Sequence, residues 1–286
     1  MFCNLLLYRY DIRESITICK GNISQLKSFD STFSTLKYAN SVKFLKECGS
    51  MQKKGKRNVP MYCFGSTNFV CNSPRILLTN GKTVMLPRPY TSFRPNKSQF
   101  KRFTKDEIGF IPFIKHIELF CFQYFSILKG KERWAEKAFV DMNDSRLLIP
   151  KCCRVHDTAF TFMSLNGNMQ SNENGIGRHI DSNDSFNVVI HIGECKRGGG
   201  TLYFYGKDTN AVCKKINFMN GNIQIGQYSY VYHGTEAWIG KRCSLAFSVK
   251  HTILDYFRSY GKSLYEKYIV NDGYKCRNIC INLKEK

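Results

Sequence analysis

Acidic residues are scarce in this chain. Among its 286 residues there are 22 Asp and Glu against 43 Lys and Arg, which gives a formal net charge of +21 at pH 7. The excess is concentrated in the first 110 residues, which carry 19 Lys and Arg against 6 Asp and Glu. A surface of this sign attracts polyanions, and counterion release favours binding to nucleic acid. We therefore expect nucleic acid as a partner; the alternative is a charge excess without a ligand.

Long apolar runs are missing as well. The N-terminal residues include only three leucines in succession before Tyr8 and Arg9, fewer than the apolar region of a signal peptide requires. No run approaches the roughly 20 apolar residues that a membrane-spanning helix needs. The sequence therefore predicts a protein without a membrane partner; it contains no signal for its oligomeric state.

The 13 cysteines contain no pair with CxxC spacing. Their odd number and scattered positions argue against a small disulfide scaffold. Cys276 and Cys280 lie four residues apart, which is a weak zinc signal beside the alternative of reduced thiols packed as small apolar side chains. We expect an intracellular, reducing location, with the nucleus as one candidate compartment.

Residues 1–95 form a basic N-terminal extension whose fold the sequence does not reveal. The cluster Lys53–Arg57 is strongly basic, and the segment from Pro87 to Arg102 combines three prolines with basic and aromatic residues. Prolines favour an extended loop there. Such a loop could follow a phosphate backbone and stack on bases, or serve only as a linker.

Residues 96–286 are predicted to form one α+β domain. Apolar residues recur with helical spacing from Ile108 to Gly130, with Pro112 in the first turn, and a second helix is predicted near Glu132 to Val140. A C-terminal helix is expected from Asp255 to Tyr268. Short segments rich in Val, Ile, Phe and Tyr between turn signals predict a sandwich or barrel of strands. These predicted strands are Ala159–Leu165, Asn187–Ile192, Thr201–Tyr205, Ile216–Phe218, Asn222–Ile225, Ser229–Tyr232 and Arg242–Val249.

Three side chains in this domain are candidate metal ligands. His179 and Asp181 are two residues apart beside a predicted strand, so both project to the same face. His233 is predicted to close a separate strand, 52 residues after Asp181. Two imidazoles and one carboxylate form a facial triad that leaves three coordination positions of a metal open. Each of these residues alone is more commonly structural.

Arg242 begins the last predicted strand. Side chains alternate along a strand, so one face carries Arg242, Ser244, Ala246 and Ser248. The opposite, apolar face carries Cys243, Leu245, Phe247 and Val249. An arginine can grip a carboxylate with two parallel hydrogen bonds, and a serine two residues later can add a third.

The order HxD, GGxL, His and GxRxS resembles the iron(II)/2-oxoglutarate-dependent dioxygenase superfamily. Here these motifs are His179–Asp181, Gly199–Leu202, His233 and Gly240–Ser244. The resemblance implies a double-stranded β-helix (jelly roll) with flanking helices and iron held by His179, Asp181 and His233. It also implies that Arg242 and Ser244 bind the co-substrate 2-oxoglutarate, which is decarboxylated to succinate while a C–H bond is hydroxylated.

The sequence leaves the substrate open. The arginine in the last motif is similar to that of the TET/JBP family, which oxidises 5-methylpyrimidine bases, and Asp184 would bind the exocyclic amine of cytosine there. Asp184 could equally only cap a turn. The alternative enzyme is a prolyl or lysyl hydroxylase acting on protein, and a small-molecule substrate also stays open. A third interpretation is a degraded oxygenase that only binds nucleic acid; the presence of every expected ligand argues against it.

Overall fold

The computed structural model of the protein describes fourteen stretches of the chain. They are residues 4–9, 15–22, 50–51, 61–67, 75–77, 83–85, 87–91, 110–167, 171, 173–181, 183–195, 199–206, 211–217 and 222–265. The basic cluster Lys53–Arg57, most of the segment from Pro87 to Arg102, and the pair Cys276 and Cys280 lie outside the described residues.

Fifteen strands and three α-helices make up the described chain. The strands are β1 (Asn4–Arg9), β2 (Ser15–Asn22), β3 (Ser50–Met51), β4 (Met61–Thr67), β5 (Arg75–Leu77), β6 (Thr83–Met85), β7 (Arg88–Thr91), β8 (Phe162–Gly167), β9 (Ile176–His179), β10 (Asp184–Cys195), β11 (Leu202–Tyr205), β12 (Val212–Ile216), β13 (Asn222–Gly226), β14 (His233–Thr235) and β15 (Gly240–Lys250). The helices are α1 (Phe110–Leu128), α2 (Arg133–Leu148) and α3 (His251–Tyr265).

Two antiparallel sheets carry the fold. The larger sheet has nine strands in the order β1-β2-β13-β10-β15-β8-β4-β3, with β7 beside β4. The smaller sheet has four strands in the order β12-β11-β14-β9, and β5 pairs with β6 separately. The predicted mixture of helices and strands is therefore confirmed. Strand β4 lies within the predicted N-terminal extension yet pairs with β8, and the boundary near residue 95 stays a prediction.

The helices cover one face of the larger sheet. Phe125 of α1 packs edge-on against Phe186 of β10, with ring centroids 4.9 Å apart, and Phe160 packs against Phe247 of β15 at 5.1 Å. The predicted first helix is confirmed, and Gly130 follows it with φ +79°, a left-handed conformation that suits glycine.

The second helix is longer than predicted. It continues past Val140 to Leu148, because Met142 and Ser145 extend the buried stripe that begins with Trp134 and Ala138. Asp141 and Asp144 interrupt the apolar pattern in this part of the sequence, so the pattern did not predict the last two turns of the helix. One of them, Asp141, is itself buried and accepts hydrogen bonds from Arg258 and Ser185, which ties α2 to α3 and β10.

The predicted strand Ser229–Tyr232 is wrong. These residues form a turn in which the Tyr230 N–H donates to the Gln227 carbonyl at 3.2 Å. The short run of Val and Tyr residues predicted a strand. In the structure, however, Tyr230 is exposed, and the Ser229 hydroxyl donates to the Asp184 carbonyl at 2.9 Å. The chain becomes extended only at His233, so this histidine opens a strand and does not close one.

Smaller shifts affect two other elements. The strand predicted at Ile216–Phe218 runs earlier, as β12. The C-terminal helix begins at His251, four residues before the predicted Asp255, and is interrupted at Gly261, whose φ is +68°. None of the described helices is long and apolar enough to span a membrane.

The packing of α1 against β10 gives a stability prediction. We expect Phe186→Ala to reduce the free energy of unfolding by about 3–5 kcal/mol, because it removes a fully buried ring that touches both Phe125 and Phe160. Urea unfolding followed by circular dichroism measures this loss. Leu147→Ala is the control, since Leu147 is 69% exposed and its loss should change stability by less than about 0.5 kcal/mol. Equal losses for both variants would contradict the assigned core.

Candidate metal centre

The pairing of β9 with β14 brings two histidines together. β9 is an edge strand of the smaller sheet, and its last residue, His179, is the cross-strand partner of His233, the first residue of β14. Side chains of directly opposed residues lie on the same face of a sheet. The two imidazole centroids are accordingly 4.2 Å apart. Sheet register therefore brings together two residues that are 54 positions apart in the sequence.

Asp181 completes the group two residues beyond His179. Its backbone N–H donates to the Tyr228 carbonyl at 3.2 Å, which fixes the chain where β9 ends. The chain then reverses through Asn183, whose φ of +71° is a left-handed conformation that asparagine tolerates better than most residues. Asp181 Oδ1 lies 3.6 Å from His179 Nε2, and Asp181 Oδ2 lies 3.6 Å from His233 Nε2.

The hydrogen bonds of the two imidazoles define their tautomers. His179 Nδ1 lies 2.8 Å from the Gly177 carbonyl, and His233 Nδ1 lies 3.0 Å from the Val231 carbonyl. Because a carbonyl only accepts, Nδ1 carries the hydrogen in both rings and Nε2 presents a lone pair. Backbone carbonyls orient metal-binding histidines in this way.

These atoms fit a divalent metal ion. One ligand atom from each of His179, Asp181 and His233 lies within 4.8 Å of the others. Two imidazole lone pairs and a carboxylate that face one another repel unless a metal cation or a proton lies between them. Two histidines and one carboxylate are also the ligand set of non-haem iron(II) sites that keep coordination positions open.

The carboxyl of Asp181 is held in its ionised form. Burial raises its pKa, but the contact with His233 and the nearby His179 and Lys250 together outweigh burial and lower the pKa to about 2. The residue therefore presents a negative charge at neutral pH, which metal binding requires.

A cavity of about 450 Å³ opens beside the three residues. Both sheets line it, and β15 contributes a row of alternate residues from Arg242 to Lys250. The opposite face of β15 packs into the core through Cys243, Leu245 and Phe247, none of which is exposed. The predicted alternation of β15 is confirmed.

The structure places Arg242 and Ser244 in this cavity. Arg242 is only 1% exposed, and its guanidinium lies over the Trp238 ring, 4.6 Å from the centroid. Its Nη2 atom is 3.4 Å from His191 Nδ1, and His191 is the cross-strand partner of Ser244. Guanidinium groups stay charged at all physiological pH values, so the cavity contains a fixed positive charge.

The sequence motifs do not include His191, which lies beside the Arg242 guanidinium. Burial and the adjacent charge of Arg242 lower its pKa to about 3, so the ring is neutral and Nδ1 can accept from the guanidinium. His251, by contrast, begins α3 and is not among the cavity-lining residues.

Tyr228 and Gln224 were also missed. The Tyr228 ring packs edge-on against His233 at 4.8 Å, and its hydroxyl donates to Gln224 Oε1 at 3.1 Å. Burial, together with the charge of Asp181, raises the pKa of Tyr228, so the hydroxyl stays protonated. Gln224 is buried between Ile223 and Ile225, and a polar residue inside an apolar strand was the available sequence signal.

Asp184 lies in the cavity wall and is only 2% exposed. Its carboxylate accepts hydrogen bonds from Asn187 Nδ2 at 2.8 Å and Ser248 Oγ at 3.0 Å, and forms a salt bridge with Lys250 at 2.5 Å. Burial raises its pKa to about 6 although Lys250 opposes the shift. The substrate-binding assignment of Asp184 stays a prediction.

The geometry of the described residues predicts one metal site. We expect the metal-free protein to bind one Mn²⁺ ion in calorimetric titrations, and His233→Ala to weaken binding at least about 100-fold because it removes one of three ligands. His116→Ala is the control: His116 lies on α1, outside the cavity lining. Equal affinities for wild type and His233→Ala would contradict the assignment.

Comparisons with known proteins give similarity in structure only. No protein-family model matches the chain, and no curated protein matches it in sequence. The chain is similar to NgTET1 in complex with 5mC DNA, with 10% identity, a TM-score of 0.45, and coverage of 82% of this chain and 72% of that chain. It is similar to OsALKBH1, with 14% identity, a TM-score of 0.40, and coverage of 83% and 99%. It is also similar to an oxidoreductase of the 2OG-Fe(II) oxygenase family from Burkholderia pseudomallei, with 10% identity, a TM-score of 0.38, and coverage of 82% and 85%. All three TM-scores lie below 0.5, so the interpretation of the site rests on the positions of its own side chains.

Proposed function

We propose that this protein is an Fe(II)- and 2-oxoglutarate-dependent dioxygenase whose two sheets form a double-stranded β-helix. One observation carries the proposal. The ligand atoms of His179, Asp181 and His233 converge beside a cavity that also contains the buried Arg242 and Ser244. A facial metal triad and a carboxylate-binding pair within one cavity match the needs of a keto diacid co-substrate.

His179, Asp181 and His233 would hold the iron. The bound metal would supply the activation of dioxygen and a site for the keto-acid end of 2-oxoglutarate. The protein contributes orientation: both imidazoles are fixed through Nδ1 by backbone carbonyls, and His233 is additionally packed against Tyr228.

Arg242 and Ser244 would bind the distal carboxylate of 2-oxoglutarate. The planar guanidinium is held by stacking on Trp238 and by its contact with His191, so its donors point in a defined direction before the co-substrate arrives. Because Arg242 is buried, its charge is not screened by water and attracts a carboxylate strongly.

The overall reaction balances without a further reductant. One 2-oxoglutarate, one dioxygen and one substrate C–H give succinate, carbon dioxide and a C–OH group. One oxygen atom enters the new succinate carboxylate, and the other enters the substrate hydroxyl. A substrate bound in the cavity would displace bulk water from the reacting C–H bond.

We propose a 5-methylpyrimidine base in nucleic acid as the substrate. The net charge of +21 favours a polyanion. At the cavity, Arg178 is exposed and lies over the Tyr232 ring, with its guanidinium carbon 3.7 Å from the centroid, and Tyr230 nearby in sequence is 54% exposed. Arginine and tyrosine faces of this kind stack on unpaired bases, and an enzyme acting on a base in a duplex must extrude it.

Asp184 is proposed to assist in binding the base. A carboxylate has about four lone-pair positions, and Asn187, Ser248 and Lys250 engage three of them. The remaining position can accept one hydrogen bond from an exocyclic amine that reaches the cavity wall.

Replacement of the buried arginine tests the co-substrate site. We expect Arg242→Ala to weaken 2-oxoglutarate binding about 10- to 100-fold, since charged hydrogen bonds contribute about 1.5–3 kcal/mol. Calorimetry with Mn²⁺-loaded protein measures this affinity. Lys241→Ala is the matched control, because Lys241 is the exposed cation next to it on β15. A Kd unchanged by Arg242→Ala would place the co-substrate elsewhere.

A product assay tests the substrate. The protein is incubated with Fe²⁺, 2-oxoglutarate and single-stranded or duplex oligonucleotides containing 5-methylcytosine or thymine, and bases are analysed by mass spectrometry. We expect oxidised 5-methyl groups with succinate, and neither with Asp181→Ala. Asp181→Ala should keep its salt-dependent DNA binding, because phosphate contacts do not involve the metal.

Other outcomes of the product assay separate the alternatives. Hydroxylated peptides without oxidised bases would favour a prolyl or lysyl hydroxylase. DNA binding without succinate formation from any substrate would favour a protein that only binds nucleic acid.

A further inference from the structure

The side chain of Asn187 lies between two carboxylates. Its Nδ2 atom donates to Asp184 Oδ2 at 2.8 Å and to Asp181 Oδ2 at 3.3 Å. The two hydrogens of one amide group therefore serve a candidate metal ligand and a second buried acid. Asn187 is only 2% exposed, so water competes little for these hydrogen bonds.

Asp184 is anchored from its other side. Ser248 Oγ donates to Asp184 Oδ1 at 3.0 Å, and Lys250 Nζ lies 2.5 Å from the same oxygen. Both partners belong to β15, and Ser248 is also the cross-strand partner of Asn187. A register shift between Asp184 and Asn187 marks a bulge in β10 at this point. Bulges redirect side chains, and here the bulge lets Asp184 and Asn187 reach the same cluster.

The chemistry of the cluster determines the orientation of the amide. Turned by 180°, Asn187 would place its own carbonyl oxygen against two carboxylates, where every group accepts and none donates. In the observed orientation, Oδ1 is buried and accepts no hydrogen bond from the described residues. Burying an acceptor without a hydrogen bond has a desolvation cost, and an apolar residue of the same size would not have this cost. The two N–H groups are therefore the reason that an amide suits this position.

We propose that Asn187 is a positioning residue that sets the rotation of the Asp181 carboxylate at the metal centre. With Oδ2 held by Asn187, the carboxylate keeps one oxygen toward His233 Nε2 and the other toward His179 Nε2, each at 3.6 Å. The anchor runs from β15 through Asp184 and Asn187 to Asp181. Without this anchor, the Asp181 carboxylate rotates about its Cβ–Cγ bond in the metal-free protein. Metal binding must then fix its rotation, and this entropy cost reduces the metal affinity. The inference rests on the proposed metal centre.

Metal titration tests this inference separately from catalysis. Mn²⁺ affinity is measured by calorimetry on metal-free protein, and Co²⁺ is added in parallel to record its visible absorption bands, which report coordination geometry. Asn187→Leu removes both donors at similar volume, and Asn187→Ser removes them while keeping a small polar group. We expect Kd to rise about 10- to 100-fold in both variants, the range found when a residue that orients a metal ligand is lost, with altered Co²⁺ bands.

Two controls distinguish positioning from general damage. Ser145 lies on α2, away from the cavity, and its hydroxyl donates a buried hydrogen bond to the Ala159 carbonyl. Ser145→Ala removes this hydrogen bond and should leave Kd within twofold of wild type. Thermal unfolding of the metal-free variants shows whether they fold. A folded Asn187 variant that keeps wild-type affinity and Co²⁺ bands overturns the inference. If the leucine variant does not fold, the serine variant decides by the same criterion.

The same titrations show which proposal fails. A wild-type protein that binds no Mn²⁺, or binds it as well after Asp181→Ala, overturns the metal centre and the proposed function with it. Tight wild-type binding that depends on Asp181 but not on Asn187 leaves the proposed function intact and overturns the positioning role alone.

Discussion

The cross-strand pairing of His179 with His233 is the constraint on which the site depends. β9 and β14 are short strands at one edge of the smaller sheet, and their register decides whether the two imidazoles face each other. A slip by one residue would turn one histidine to the opposite face of the sheet, because side chains alternate along a strand. Asp181 then needs only two further residues to reach both rings, and its own backbone N–H is fixed by Tyr228. The geometry of the candidate metal centre is therefore determined by sheet register more than by any loop.

The central strand of the larger sheet separates the core from the cavity. β15 pairs with β10 on one side and β8 on the other, so its backbone is held along most of its length. Its apolar side chains pack under the helices, while Arg242, Ser244 and Ser248 face the cavity. The same strand thus stabilises the fold and supplies the groups proposed to bind the co-substrate and to anchor Asp184. Rigid strands hold such groups more accurately than loops do.

Among the described residues, two sets of interacting polar side chains lie beside the cavity. In the first set, Gln224 contacts both Tyr228 and His191, and His191 contacts Arg242. The second set joins Asp181, Asn187, Asp184 and Lys250. Burial of charge is unfavourable unless partners compensate it, so sets of this kind are retained where function requires them. One set lies beside Arg242 and the other beside the candidate metal ligands, so the cavity has a distinct polar group at each of two sides.

The sequence by itself determined the local features: the helical stripe of α1, the alternation of β15, and the candidate ligands in the motif order His179, Asp181, His233, Arg242 and Ser244. The helical stripe and the alternation follow from residue spacing within one segment, and the candidate ligands follow from the order of short motifs along the chain. It did not determine the turn at Ser229–Tyr232, the extension of α2, or the roles of His191, Gln224, Tyr228 and Asn187. Each of these depends on contacts between segments distant in the chain, such as the β10–β15 register that places Asn187 beside Ser248. Only the tertiary structure decided them, because whether a polar residue is a surface group or a buried partner is set by what folding brings next to it.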